Sequence, residues 1–211
     1  QTTGLTHEEY NNLKQAMLTS VYKNGGFWIS QYEIGTETLR TSNSSPLTIP
    51  KSQEGLYPYN WVTCSQAQEL AEQMNPDSSK YKSSLLFGVQ WDLTCKYLET
   101  KASNLGATTE ERKTAIKTDS TTWGNYNNAT FDITKGKYSI NSGSSYTEVK
   151  GSYTKPTSSK ILLTTGATDR NCAMHIYDFA GNEWEWTLEY TDNTSNPCSA
   201  RGGHYSLSGS S

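Results

Sequence analysis

Residues able to make or break bonds near neutral pH are scarce in this 211-residue chain. Four cysteines, Cys64, Cys95, Cys172 and Cys198, could act as nucleophiles, metal thiolates or cross-links. None sits at the Cys-x-x-Cys spacing of a zinc site. Four cysteines allow three pairings, and the sequence does not choose among them. Cys64 and Cys95 fall on predicted helices and read as free buried thiols. Cys172 and Cys198 lie in loops flanking one strand, which allows a bridge between them. The three histidines, His7, His175 and His204, are scattered and read as ordinary surface or partly buried side chains. Glu33, Glu37 and Arg40 lie beside a predicted first strand, while Arg170 and Arg201 flank a later one. A buried Glu33–Arg201 pair would lock strand register. Glu8, Glu9, Glu110 and Glu111 read as solvated helix faces. The last eight residues, HYSLSGSS, combine Tyr, Ser, His and Gly. Binding paratopes favour these types, because Tyr offers rigid amphipathic area and Ser or Gly offers adaptable hydrogen bonding. A flexible serine-rich end is the competing reading.

The elements that must position these groups follow from periodicity. Within residues 176–190, Trp184 and Trp186 alternate with Glu183, Glu185 and Thr187, a period of two that predicts a strand with both indoles on one face. Phe179-Ala180-Gly181-Asn182 before it reads as a tight turn, since Gly and Asn tolerate positive φ. A helix is predicted over 6–23, with a Thr6-x-x-Glu9 capping box, a Leu5–Tyr10 staple and a core-facing stripe of Tyr10, Leu13, Met17 and Val21. Alternation predicts a strand over 27–34. Thr63-x-x-Gln66 caps a helix over about 64–74 that buries Ala67, Leu70, Ala71 and Met74, and Asn75-Pro76-Asp77 stops it. A third helix, roughly 87–102, turns Val89, Leu93, Tyr97 and Trp91 inward. Residues 40–58 and 77–84 read as loops, and Ile161–Leu163 as a strand. Residues 103–160, with a short helix near 109–116 and several small hairpins, read as a long insertion without a core of its own. Asp192–Ser199 reads as a polar connection.

Composition narrows the function. The net charge of −3 and absence of a basic run disfavour nucleic acid and anionic membranes as partners. No apolar run approaches a membrane span. No leader precedes Gln1, which reads as a processed or excised chain. With 33% hydrophobic but 11% aromatic residues, the core must lean on aromatic rings.

The pattern Gly181-Asn182-x-Trp184-Glu185-Trp186-Thr187, followed by Arg201-Gly202-Gly203, resembles the formylglycine-generating-enzyme/sulfatase-modifying-factor family, a variant of the C-type-lectin fold. GGFWISQYEIG (25–35), YNWVTCSQAQELAEQM (59–74) and LLFGVQWDL (85–93) fall in the family's order, so the resemblance spans about residues 25–205. It implies an α+β, C-type-lectin-like fold over 1–211, with two or three helices packed on small twisted antiparallel sheets and long loops. Trp91, Trp184 and Trp186, with Phe27, would be core, and Gly181, Arg201, Gly202 and Gly203 structural. The family continues beyond its RGG motif and completes a sheet edge there; this chain stops at Ser211, so either the protein is longer or its end was cut off, and the sheet would then have an incomplete edge.

The same resemblance bears on chemistry. The enzymes hold copper between two cysteines after RGG. Here the first of those positions is Leu207 and the second falls past Ser211, so the soft-metal ligands are missing and no catalysis is expected. Related oxygenases hold iron on three histidines, a role ill-suited to His7, His175 and His204. The family's turn contributes to a calcium site, which would make Asn182 and Glu185 its side-chain ligands. Against this, Asn182 could cap the turn and Glu185 pair with an arginine. No Glu-Pro-Asn sugar motif occurs. Diversity-generating-retroelement variable proteins share the fold and place variable residues from the RGG motif onward. Adenine-directed mutagenesis of Asn codons yields Tyr, Ser and His, which suits this tail. YE-x-GTET and FGVQWD are similar to surface or prophage proteins of gut Firmicutes. The resemblance therefore implies a non-catalytic binding protein on a bacterial surface or phage particle. It would need no cofactor beyond a structural calcium. It would present His204, Tyr205, Ser206, Leu207, Ser208 and Ser210, at the start of a variable segment 203–211, to a macromolecular target, a protein or a surface glycan. The alternatives are a metal-dependent oxidase of the formylglycine-generating/sulfoxide-synthase superfamily and a plain adhesion domain.

Overall fold

The computed structural model describes residues 4–75, 81–190 and 198–210. The predicted helix stop at Pro76-Asp77, the start of the 77–84 loop, most of the 192–199 connection and Ser211 lie outside the described residues. The class is α+β, with four α-helices and several small antiparallel sheets among the described residues.

Helix α1, His7–Asn24, begins at the predicted capping box. Thr6 Oγ1 accepts from Glu9 N at 3.2 Å, and Thr6 N donates to Glu9 Oε2 at 2.8 Å. Gly25, at φ 75°, ends it by donating to Val21 O. Tyr10, Leu13, Met17 and Val21 are only half-buried, and no α1 residue is fully buried. The helix lies on the outside, leaning Leu5, Tyr10, Leu13 and Met17 on a small cluster of Cys64, Phe87 and Leu188. Helix α2, Cys64–Gln73, also starts as predicted, at the Thr63–Gln66 box. Leu70 and Ala71 are buried, with Ala67 and Met74 half-buried. Buried Gln68 points inward too, and its Oε1 accepts from Leu85 N and Ser84 Oγ.

Helix α3, Gly88–Lys101, turns a different face inward from the one expected. Val89, Leu93 and Tyr97 are exposed (53, 54 and 45%), whereas Trp91, Thr94 and Leu98 are buried. Apolar side chains surround this helix, so spacing alone does not select a face. The Trp91 ring stacked on Phe179, centroids 3.9 Å apart, does so instead. Helix α4, Thr109–Lys117, packs against α3.

The strands are short. β1, Ile34–Thr36, lies between β2, Lys51–Ser52, and β3, Tyr57–Pro58. The expected strand over 27–34 is realised only from Ile34. Phe27 and Ile29 are half-buried and Trp28 and Ser30 exposed, so the alternation is present. What is missing is a ladder: Gln31 O accepts from Tyr177 N, and Ser52 Oγ bridges Tyr32 N and O. Phe27 is thus outside the core.

Residues 103–160 are not a peripheral insertion. They carry β4, Phe131–Ile133; β5, Lys137–Ser139; β6, Thr147–Glu148; and β7, Tyr153–Lys155. β4 pairs with β7, and β5 joins β6 to β8, Leu162–Leu163. Trp123, Tyr126, Ala129, Phe131 and Ile133 from this stretch sit in the main core with Trp91, Leu98, Ile161, Leu163 and Phe179. A chain poor in aliphatics has recruited the stretch's aromatic rings. Lys155 is fully buried, and its Nζ donates to the carbonyls of Tyr126 and Ala129 at 2.7 and 2.8 Å. Its ammonium lies over one aromatic ring, Phe131, which also stacks with Arg170.

β9, Cys172–Ala173, and β10, Ile176–Tyr177, form a hairpin through Met174 and His175, both at positive φ. β11, Glu185–Thr187, pairs with β12, Ser199–Arg201, in the register Glu185↔Arg201 and Trp186↔Ala200. The indoles of β11 are not a core pair. Trp184 is 54% exposed, and Trp186 is half-buried, its Nε1 donating to Val62 O. Trp184 precedes the strand and meets water, whereas Trp186 within it leans on the cluster of Cys64, Phe87 and Leu188.

Candidate functional site

The expected recognition residues follow Arg201-Gly202-Gly203, and the turn before β11 holds them in place. Gly181 has φ 74°, and a Cβ there would stand 2.4 Å from Asn125 O, so the position requires glycine. Gly181 N donates to Gly202 O at 2.7 Å, and Tyr205 N to Asn182 O at 2.9 Å. Asn182, at φ 64°, is fully buried and uses its whole side chain. Its Nδ2 donates to Glu33 Oε2 at 2.7 Å and to Leu163 O at 3.2 Å. Its Oδ1 accepts from Asn125 Nδ2 and Leu163 N, both at 3.0 Å. One side chain thereby joins the residue before β1, β8, the 125 loop and the β11 turn.

These bonds bear on the two expected calcium ligands. Both lone-pair directions of Asn182 Oδ1 are taken by N–H groups. Glu185 Oε2 is buried with no hydrogen-bond partner among the described residues, and lies where a Cβ on Gly202 would meet it at 3.1 Å. Among the described residues, no three His, Cys, Asp or Glu side chains gather in a metal-holding group. His7 stacks on Tyr190, and His175 sits at an exposed turn, so neither meets His204.

The expected Glu33–Arg201 pair does not form. Glu33 is held by Asn182, whereas Arg201 forks onto Glu189, with Nη2–Oε1 at 2.6 Å and Nε–Oε2 at 2.9 Å. That fork holds the Glu189 carboxyl below the usual range. Burial, reinforced by the charges of Asp178 and Glu185, pushes the Glu33 carboxyl well above its ordinary value. Burial also raises Glu185, and lifts Asp178 to about 6 despite an N–H bond from Gly166. Three acidic side chains thus have carboxyls raised above their ordinary values.

The tail wraps around Tyr126. Gly203 has φ 90°, and its Cβ would meet the Tyr126 ring at 2.7 Å; a Cβ on Gly209 would meet the same ring at 2.6 Å. Tyr126 Oη donates to Gly202 O at 2.8 Å and accepts from Ser120 Oγ. Further ties run to main-chain atoms of the tail. Ser206 O accepts from Asn127 Nδ2, Leu207 O from Asn127 N, and Gly209 O from Ser120 N, while Gly209 N donates to Asn128 Oδ1. The tail is therefore an ordered element through Ser210.

The six expected contact residues divide. Tyr205 is buried and belongs to the scaffold. His204 is half-buried between the rings of Trp184 and Tyr205, at 4.7 and 4.2 Å, with Nδ1 at 2.7 Å from Ser206 Oγ and Nε2 at 3.3 Å from Glu183. Leu207 and Ser210 are exposed, and Ser206 and Ser208 half-buried. Leu207 and Ser208 also border a cleft of about 340 Å³, whose walls include Trp91, Trp123, Tyr126 and Phe179. Sequence reasoning missed two parts of this surface. These are Trp184, expected in the core, and the cradle at Ser120, Asn127 and Asn128, expected in an insertion. The signal for the cradle was Asn125-Tyr126-Asn127-Asn128, a cluster of amides able to bond a neighbouring main chain. All four cysteines are free thiols; Cys198 meets Cys64 and not Cys172. Comparison with models of protein families, with curated proteins and with solved structures finds no match.

Proposed function

We propose that this chain is a non-catalytic recognition protein, a variable protein of the diversity-generating-retroelement type on a C-type-lectin-like scaffold, displayed on a bacterial surface or phage particle. The observation that carries the reading is how the tail is held. Gly202, Gly203, Tyr205 and Gly209 pack or bend, while the anchoring bonds engage main-chain atoms of Ser206, Leu207 and Gly209. The exposed side chains of Leu207 and Ser210 can therefore change with little effect on the path of the backbone, while His204 Nδ1 and Ser208 Oγ each accept from a main-chain N–H of the tail. Trp184 extends the same surface with an exposed indole, the type of residue that dominates binding hot spots. The target is a macromolecule, a protein or surface glycan, met by His204, Trp184, Leu207 and the serines.

Two measurements test the reading. DNA adjoining the gene should contain a reverse transcriptase and a near-copy of the tail-coding segment that differs at adenines. A protein library randomised at the exposed positions 207 and 210 should keep its unfolding midpoint within about 3 °C of the parent, as surface changes do. It should also yield binders to a chosen protein such as lysozyme. A missing template copy, a library that mostly fails to fold, or copper or iron bound at one per chain would each overturn the proposal.

A further inference from the structure

Two cysteines that the recognition reading does not use meet at the foot of the β11–β12 ribbon. Cys64 is the first residue of α2 and is fully buried. Cys198 directly precedes β12, is half-buried, and packs on the cluster of Cys64, Phe87 and Leu188. The two sulfurs thus lie in one small cluster, close enough to interact. Cys95 borders the cleft, and Cys172 lies in the β9–β10 hairpin. We propose that Cys64 and Cys198 are a cross-linking pair, oxidised to a disulfide by exchange with a small disulfide such as cystine or oxidised glutathione. The bond would fasten the strand that feeds Gly202-Gly203 to the start of α2.

The surroundings divide the labour between the sulfurs. Half-exposed Cys198 can meet a small disulfide, whereas Cys64 is fully buried and is reached only through its neighbour. The half-exposed Cys198 thiolate attacks one sulfur of the small disulfide. That S–S bond breaks, a mixed disulfide forms, and one small thiolate leaves and takes up the proton. Cys64 then attacks the Cys198 sulfur, the mixed S–S bond breaks, and the second small thiolate departs with the Cys64 proton as a thiol. Two protein thiols are oxidised and one small disulfide is reduced to two thiols. Well over a hundred residues lie between the partners, so the closed loop is long. A loop of that length raises an unfolding midpoint by roughly 5–15 °C in a chain of this size.

The experiment uses the whole chain, equilibrated with oxidised glutathione, blocked with N-ethylmaleimide and analysed by intact mass and peptide mapping. The expected product has lost two hydrogens, carries a cross-linked peptide joining Cys64 to Cys198, and is alkylated at Cys95 and Cys172. Its midpoint rises, dithiothreitol reverses the rise, and the half-exposed variant Cys198→Ser shows neither change. Alkylation of all four cysteines, a cross-link through Cys95 or Cys172, or a glutathione adduct that stays on Cys198 overturns the proposal.

Discussion

Asn182→Ala should be among the most damaging single substitutions in this protein. The change removes four buried hydrogen bonds, to Glu33, Leu163 N, Leu163 O and Asn125. At about 1 kcal/mol net apiece, these amount to about 4 kcal/mol, before any penalty for the polar groups left unpaired. The residue also sits at φ 64°, where alanine is disfavoured by roughly 1–2 kcal/mol and asparagine by less. The expected loss is therefore about 4–6 kcal/mol, a large part of the roughly 5–15 kcal/mol that holds a folded domain. Asn182→Gly separates the two contributions, since glycine relieves the backbone but restores no bond, and should recover about 1 kcal/mol only. Asn182→Asp places an oxygen against Glu33 Oε2, where the amide now donates at 2.7 Å. Its defect should shrink on acidification as the two carboxyls come to share a proton. Urea unfolding read by tryptophan fluorescence gives each value from the midpoint at constant slope. A loss below about 1.5 kcal/mol for Asn182→Ala, or full recovery with glycine, would refute the picture of a four-way hub.

Gly209→Ala, which drives a Cβ to 2.6 Å from Tyr126 and 2.9 Å from Thr121 N, should cost roughly 1–3 kcal/mol, whereas Leu207→Ser should cost under about 0.5 kcal/mol, both by urea denaturation. Trp91→Ala should cost about 3–5 kcal/mol through its lost stack on Phe179, while Trp184→Ala should stay within about 1 kcal/mol and instead weaken target binding; equal stability losses would place both indoles in the core after all. Glu33, Asp178 and Glu185 bind protons more tightly folded than unfolded, so stability should fall as pH rises from the ordinary carboxyl range through their folded values, which for Asp178 means from about 3.8 to about 6. Glu185→Gln should flatten that decline, and denaturation midpoints that climb between pH 5 and 7 would contradict it.

What the sequence disclosed and what it hid divide by range. The capping boxes at Thr6–Glu9 and Thr63–Gln66 are settled within one helical turn, and both were legible. The start of α4 at Thr109 was legible for the same reason. The buried face of α3 was not, because Trp91 is drawn inward by Phe179, far away along the chain. The 27–34 segment alternates like a strand, but a ladder also needs a partner, and Tyr177 and Ser52 supply only isolated bonds. Alternation placed Trp184 and Trp186 on one face and could not say that half of that face meets water. At the site, the glycines and the turn were readable as motifs. The cradle from Ser120 to Asn128 was not, since its meaning depends on a tail some eighty positions later.

Gly203 and Gly209 press on the same phenol ring from two points of the tail, and that geometry limits how the tail can evolve. The stretch between the two contacts has a set span, so an inserted or deleted residue would pull one glycine off Tyr126 and replace it with a side chain that does not fit. Antibody loops explore shape partly by changing length. If the tail varies as proposed, novelty would have to come by exchanging letters at constant count, the kind of change a point-mutating copyist makes and a cut-and-join recombination system does not.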